Sequence, residues 1–153
     1  MDERWPPVPR LLELLDVPVA GRVLDFAAGT GRYGLALAAA RPDALIVVCE
    51  RDPEMMKVVM SAAIEGKFEN LVVGDTPAGP PADRGLAVNV LAALPDLDLV
   101  TLRKSVIPEG YVLFVDDLSR YVESVERLRR LGFERFTQLN VPELPLHFAL
   151  RAR

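Results

Sequence analysis

One cysteine, Cys49, leaves no partner for an internal disulfide, as expected of a chain kept in a reducing compartment. No apolar run reaches the roughly 18 residues that suggest a membrane span. The opening Met1-Asp2-Glu3-Arg4-Trp5-Pro6-Pro7 has no apolar stretch behind a basic one, so it does not read as a signal peptide. The expectation is a soluble, cytoplasmic protein. Positive charge is not in excess either: the formal net charge is −4, which disfavours a general nucleic-acid binder. Arg127, Arg129 and Arg130 read as a solvated helix face, and Arg151 and Arg153 as a frayed terminus. The one histidine, His147, reads as structural. A catalytic role would require it to reach the cleft at the strand ends. No internal repeat is visible.

Half of the 153 residues are hydrophobic and 26% are charged, enough for one packed domain and against disorder. That length leaves no room for a separate substrate domain. Residues 1–20 read as a leader with a short helix, and residues 21–153 as the core.

The 13 prolines act as punctuation. Leu11 to Leu15 suggests a short amphipathic helix that ends before Pro18. Arg22 to Phe26 is a short apolar strand carrying Asp25. A Gly-rich turn follows, then an alanine-rich helix from Arg32 to Ala40. Ala44 to Cys49 is an apolar, β-branched run, as in a strand buried on both faces. Pro53 opens a helix to about Ile64, where Met55, Met56 and Met60 read as core. Leu71 to Val73 is a strand. Thr76-Pro77-Ala78-Gly79-Pro80-Pro81 forms a loop where a helix would otherwise stand. Leu86 to Asn89 is a strand, Leu97 to Val106 a helix, Pro108-Glu109-Gly110 a turn and Tyr111 to Val115 a strand. Ser119 caps a helix from Arg120 to Leu131. Phe133 to Asn140 and His147 to Arg151 end the chain as an edge hairpin.

Strand and helix alternate, which implies a parallel sheet. The last connection is too short for a parallel crossover, so the final strand is antiparallel. The fold class is therefore α/β: a doubly wound, mostly parallel seven-stranded sheet with helices on both faces.

Ligands of such sheets bind at the carboxyl ends of the strands. Those ends carry Asp25 to Gly31, Glu50 to Asp52, Gly74 to Thr76, Asn89 to Leu91, and Asp116-Asp117. Gly29 and Gly31 allow a tight turn and close approach of a ligand. The helix that follows directs free N–H groups at the turn. Glu50 stands about twenty residues further on, where a carboxylate accepts both hydroxyls of a ribose. Turn and acid together point to an adenosine-containing ligand. Gly29-Thr30-Gly31-Arg32-Tyr33-Gly34 also fits G-x-G-x-x-G, the dinucleotide fingerprint. Asp25 argues against it, because it puts negative charge near a pyrophosphate.

Several segments carry a family resemblance. Val23-Leu24-Asp25-Phe26-Ala27-Ala28-Gly29-Thr30-Gly31 looks like the first motif of the class I S-adenosylmethionine-dependent methyltransferases. Cys49-Glu50-Arg51-Asp52-Pro53 resembles the second, and Gly74-Asp75 the end of the third strand. Asn89 to Asp96 is similar to the segment after the fourth strand, and Val106 to Leu113 to the turn into the fifth. The resemblance runs from about Gly21 to the end. It departs in two places: Ala27 replaces a usual glycine, and the helix after the third strand gives way to the proline-rich loop.

The resemblance implies S-adenosylmethionine as cofactor and transfer of its methyl group to an acceptor that the sequence does not identify. Asp25 would lie near the cofactor's amino group. Gly29 and Gly31 would line its methionine part, with Ala27 and Thr30 in the same turn. Glu50 would hold the ribose and Arg51 flank the adenine. Asp75, with Thr76 beside it, would accept from the adenine amino group. Asn89 and Val90 would face the methionine end and the acceptor. No metal is expected: Asp116-Asp117 sits at a metal position of the catechol-type enzymes, but Asn89 supplies no acid to complete it. Trp5 and Tyr33 either cover the cofactor or pack the leader. The open cleft, with no covering segment, suits a macromolecular acceptor or a site completed by a partner such as a second copy. A non-catalytic cofactor-binding subunit is the alternative reading, and a nicotinamide-binding domain the third.

Overall fold

In the computed structural model, Pro7 precedes the first helix, α1 (Val8–Leu15), whose Leu11, Leu14 and Leu15 face inward. The structure describes residues 5–153. Met1 to Arg4, which open the segment read for a signal peptide, lie outside the described residues. After α1 come β1 (Arg22–Phe26), α2 (Arg32–Ala40), β2 (Leu45–Cys49), α3 (Pro53–Glu65) and β3 (Leu71–Gly74). Next are β4 (Ala82–Val88), α4 (Asp96–Lys104) and β5 (Val106–Asp117). A 3-10 turn, Leu118–Arg120, leads into α5 (Tyr121–Arg130), and β6 (Phe136–Leu139) and β7 (His147–Ala152) close the chain.

The strands form one seven-stranded sheet in the order β3-β2-β1-β4-β5-β7-β6. The first five pair in parallel, while β7 runs antiparallel to β5 and β6. The order reverses between β1 and β4, which creates a crevice at their carboxyl ends. The central strands are buried on both faces because helices cover both. Val23, Ile46 and Val48 pack with Leu11, Leu37 and Val59 on one side. Leu24, Val47 and Phe114 pack with Leu99, Leu102 and Leu128 on the other. Each such side chain contributes roughly 1.5–3 kcal/mol on burial.

Several elements depart from the sequence expectation. β4 starts at Ala82 and not at Leu86, because β1 and β5 flank it and its polar residues find partners. Asp83 accepts from the Arg22 amide at 2.8 Å, and the Arg84 guanidinium donates to the Leu15 carbonyl at 3.0 Å. Pro108-Glu109-Gly110 lies inside β5, where the pairing with β4 shifts register between Ala82 and Arg84. A Cβ on Gly110 would lie 2.2 Å from the Asp83 carbonyl oxygen, so only glycine fits that approach. Ser119 does not cap α5: Asp117 accepts from the Ser119 amide at 2.8 Å and starts the 3-10 turn instead. Met55 and Met60 are exposed, and Val59 alone is fully buried in α3. Arg151 is no frayed terminus: it donates to the Leu14 carbonyl at 2.8 Å and lies over the Tyr111 ring. No helix stands between β3 and β4. The proline-rich loop fills that place, held where the Arg22 guanidinium donates to the Ala78 carbonyl. Among the described residues, no helix is long and apolar enough to cross a membrane.

Candidate functional site

β1 delivers Asp25 and Phe26 to the crevice, and the chain then turns sharply into α2. The turn needs left-handed backbone at Ala27 (φ 55°), Gly29 (φ 59°) and Gly31 (φ 76°). Two of these are glycines, which take that conformation without strain. Ala27 is not, and a left-handed alanine costs on the order of 1 kcal/mol. Gly34 has a different reason to be glycine. An added Cβ would fall 2.5 Å from Val48 Cγ2 and 2.8 Å from Asp25 Oδ2, so α2 lies too close to the sheet for a side chain.

Three amides at this turn and in the first turn of α2, read from sequence as free for a ligand, have partners within the protein. Gly29 donates to Glu50 Oε2 at 2.6 Å, and Gly34 to Asp25 Oδ2 at 2.9 Å. Gly31 donates to the Ala28 carbonyl at 3.0 Å. Thr30 is exposed at the tip. Two carboxyl groups thus occupy donors that a pyrophosphate would require, and the charge of Glu50 would repel it.

Asp25 is buried, and burial pushes its carboxyl up to about 7. The Gly34 N–H opposes that rise, and the charge of Glu50 adds to it. Glu50 is half-buried. Its Oε1 accepts from the Asp52 amide at 2.9 Å, so the side chain joins the β1 turn to the start of α3. A carboxylate offers about four lone-pair sites, so capacity for two hydroxyl donors is left.

A cleft opens beside this pair, lined by Phe26, Ala27, Cys49, Glu50, Arg51, Leu94 and Asp98. The exposed Arg51 reaches across it to form an ion pair with the buried Asp98 on α4. Burial keeps the Cys49 thiol protonated, pushed up to about 11. Concavities under the proline-rich loop and beside Val106 to Val112 lie at the amino ends of the strands, the wrong edge for a ligand in this class of sheet.

The residues named from sequence fall around that cleft in different ways. Of these residues Ala27, Glu50 and Arg51 line it, whereas Asp25, Gly29, Thr30, Gly31, Asp75, Thr76, Asn89 and Val90 lie outside its lining, Asp75 and Thr76 being exposed. Asn89, left-handed at φ 55°, and Val90 are half-buried at the end of β4. The Asn89 amide donates to the Val115 carbonyl at 2.8 Å. Asp116 is buried and accepts from the Leu91 amide at 3.0 Å and the Asp117 amide at 2.8 Å, so it fixes the loop after β4. Arg127 fixes the same loop. It donates to the Leu91 carbonyl at 2.6 Å, to the Leu94 carbonyl, and to Asp96 at 2.7 Å, which corrects its reading as part of a solvated face. His147 lies opposite Asp117 at the carboxyl edge, but it lines a separate groove with Leu118, Val141 and Phe148. Tyr33 is buried and donates to the Pro6 carbonyl at 2.9 Å, with Trp5 6.3 Å from it, so this pair packs the leader.

Asp98 and Arg127 were absent from the sequence reading of the site. Both belong to the α4 and α5 side, and nothing local in their sequence marks them.

No protein-family model matches the sequence, and no curated protein matches it. Solved structures do. A SAM-dependent methyltransferase from Aquifex aeolicus superposes with a TM-score of 0.79 at 15% identity, covering 94% of this chain and 87% of that one. A precorrin-6y C5,15-methyltransferase from Geobacter metallireducens gives 0.73 at 16%, covering 95% and 86%. Coclaurine N-methyltransferase, bound to N-methylheliamine and SAH, gives 0.64 at 14%, covering 71% of this chain and 34% of its own. With its seven strands in this order and the antiparallel β7, the chain has the fold of the class I S-adenosylmethionine-dependent methyltransferases.

Proposed function

We propose that this chain binds S-adenosylmethionine at the carboxyl ends of β1, β2 and β4 and transfers its methyl group to a nucleophilic acceptor. The observation that carries the reading is the pair of carboxylates on the glycine turn, Asp25 to Gly34 and Glu50 to Gly29. The charge of Glu50, joined by that of Asp25 when a ligand's ammonium group favours its ionised form, suits a cationic ligand with a ribose and opposes a dinucleotide phosphate. The cofactor supplies a methyl group activated by a positively charged sulfur.

In this reading Asp25 faces the ligand's ammonium group, and Ala27, Gly29, Thr30 and Gly31 shape the wall around its methionine part. Glu50 accepts the ribose hydroxyls while keeping its hold on Gly29. Arg51 covers the adenine side. Asn89 and Val90 border the methyl end, on the loop that Asp116 and Arg127 hold. Asp75 and Thr76 stand at the outer rim. The role of the protein is to align acceptor and sulfonium in line, and such positioning can supply roughly 7–11 kcal/mol of the barrier. The described residues show no segment folded over this cleft, which suits a large acceptor or a site completed by a second copy.

Thermal unfolding with added ligand tests the proposal. S-adenosylhomocysteine at about 100 times its Kd should add roughly 2.7 kcal/mol of stability, and NAD none. Stabilisation by NAD but not by S-adenosylhomocysteine would overturn it.

A further inference from the structure

The amino edge of the sheet carries a concavity that the proposed activity does not use. It owes its shape to the irregular pairing of β4 and β5. β5 carries Ile107 to Gly110 where β4 carries Asp83 alone, and the extra residues form one wall. Beside them lies a hollow of about 380 Å3, lined by Val106, Ile107, Tyr111, Val112 and Phe133. Another, of about 350 Å3, is lined by Glu134 and Arg135, and Arg103, Pro108 and Arg153 line both. We infer that the two together bind a small carboxylate carried on an apolar body, with Arg103 holding the carboxylate.

The first support is the state of Arg103. It stands in the last turn of α4, where any exposed cation would complement the helix dipole. Its Nε is instead buried with no hydrogen-bond partner. A buried donor without a partner is rare and costly, so an acceptor that met it would remove that cost. The guanidinium lies against Gly132, where an added Cβ would stand 3.0 Å from Cζ, so glycine makes the room it occupies. The second support is charge. Arg103, Arg135 and Arg153 face Glu134 alone in the smaller hollow, in a chain whose net charge is −4. The Arg153 amide donates to the Arg135 carbonyl at 3.1 Å, which brings these two residues together. The third is the join of that cationic end to an apolar one. A turn of the Arg103 side chain toward a carboxylate gives Nε and a terminal nitrogen one oxygen each, the bidentate pairing that arginine favours. Glu134 disfavours a doubly charged head such as a phosphate monoester. The carboxyl ends of the strands serve the ligand on which such a sheet acts, so a molecule at this opposite edge is an additional one.

Nitrogen–proton correlation spectra of the intact chain, titrated separately with octanoate, octanol and acetate, test this. Octanoate should saturate one site and move the Arg103 Nε–H resonance. Octanol keeps the apolar body without the charge, and acetate keeps the charge without the body. Each should bind about tenfold to a hundredfold more weakly than octanoate, the range for losing a hydrogen bond to a charged group or a comparable apolar contact. Arg103→Gln should bring octanoate down to the level of octanol. Arg135→Gln alters an exposed side chain and should weaken octanoate by roughly twofold to fivefold, as for a screened surface charge. Arg120→Gln, on the 3-10 turn beyond the other end of β5, should leave octanoate binding unchanged.

Octanoate that fails to saturate in the millimolar range overturns the inference, as does octanoate bound no more tightly than octanol or acetate. So do shifts centred on Gly29 and Gly31, which would put octanoate in the cofactor cleft. Octanoate affinity preserved in Arg103→Gln overturns it too. Unchanged affinity in Arg135→Gln also counts against it, and that arm decides the matter even if Arg103→Gln does not fold.

Discussion

Asp25→Asn should abolish a folding penalty that grows with pH. Burial, above all, pushes the Asp25 carboxyl from its ordinary value of 3.8 up to about 7. Between those values the unfolded chain has released this proton and the folded chain still holds it. A raised carboxyl therefore contributes nothing adverse below about pH 4. It lowers stability as pH climbs and levels off above about 7. Each pH unit in that window costs about 1.4 kcal/mol, so the full penalty is on the order of 4 kcal/mol. Other carboxylates act in the opposite sense. The Arg41 guanidinium holds Asp43 below the usual range, and hydrogen bonds to Ser119 and to backbone do so for Asp117 and Glu143. Their stabilisation is present above the ordinary carboxylate range and fades as pH falls below it. The difference between wild type and variant isolates Asp25 from them. Asparagine keeps a carbonyl oxygen for the Gly34 amide, so the packing is conserved. Urea unfolding of both proteins from pH 4 to pH 8 should show curves that diverge, with the variant gaining relative stability as pH rises. Saturating S-adenosylhomocysteine should flatten the wild-type curve, because its ammonium group favours the ionised acid. Parallel curves for the two proteins would refute the argument.

Three further outcomes are expected. Ala27→Gly relieves a left-handed alanine and should raise stability by roughly 0.5–1 kcal/mol in denaturant unfolding; a loss would show that the φ of 55° carries no strain. Gly34→Ala puts a methyl group against Val48 and Asp25 and should cost roughly 1–3 kcal/mol, read in the same assay, with no cost if α2 can move outward. Glu50→Ala should weaken S-adenosylhomocysteine by roughly 1.5–3 kcal/mol in calorimetry, and an unchanged affinity would remove Glu50 from the site.

The centre of the sheet was legible because a strand buried on both faces is a continuous apolar run, as Leu45–Cys49 is. The limits of α2 were legible from the turn before Arg32 and from Pro42 after Ala40. The amino half of β4 was not, since Asp83 and Arg84 look like loop until Arg22 and Leu15 are placed beside them. Pro108-Glu109-Gly110 misled for a similar reason: an irregular strand pair absorbs residues that would turn a free chain. In the site, Asp25 and Glu50 stood out because strand ends are local features of the sequence. Asp98 was hidden inside an ordinary helix start, and Arg127 inside a basic run. Their places depend on how α4 and α5 cross the sheet, which local pattern does not encode. The engagement of the turn amides was also invisible, because it requires Glu50 to cross from the neighbouring strand.

Isothermal titration of the folded chain with S-adenosylhomocysteine, and separately with NAD, tests the central claim most directly. One S-adenosylhomocysteine should bind per chain and NAD should give no heat. Binding of NAD in its place would show that the carboxylates on the glycine turn do not exclude a dinucleotide, and the proposed cofactor would fall.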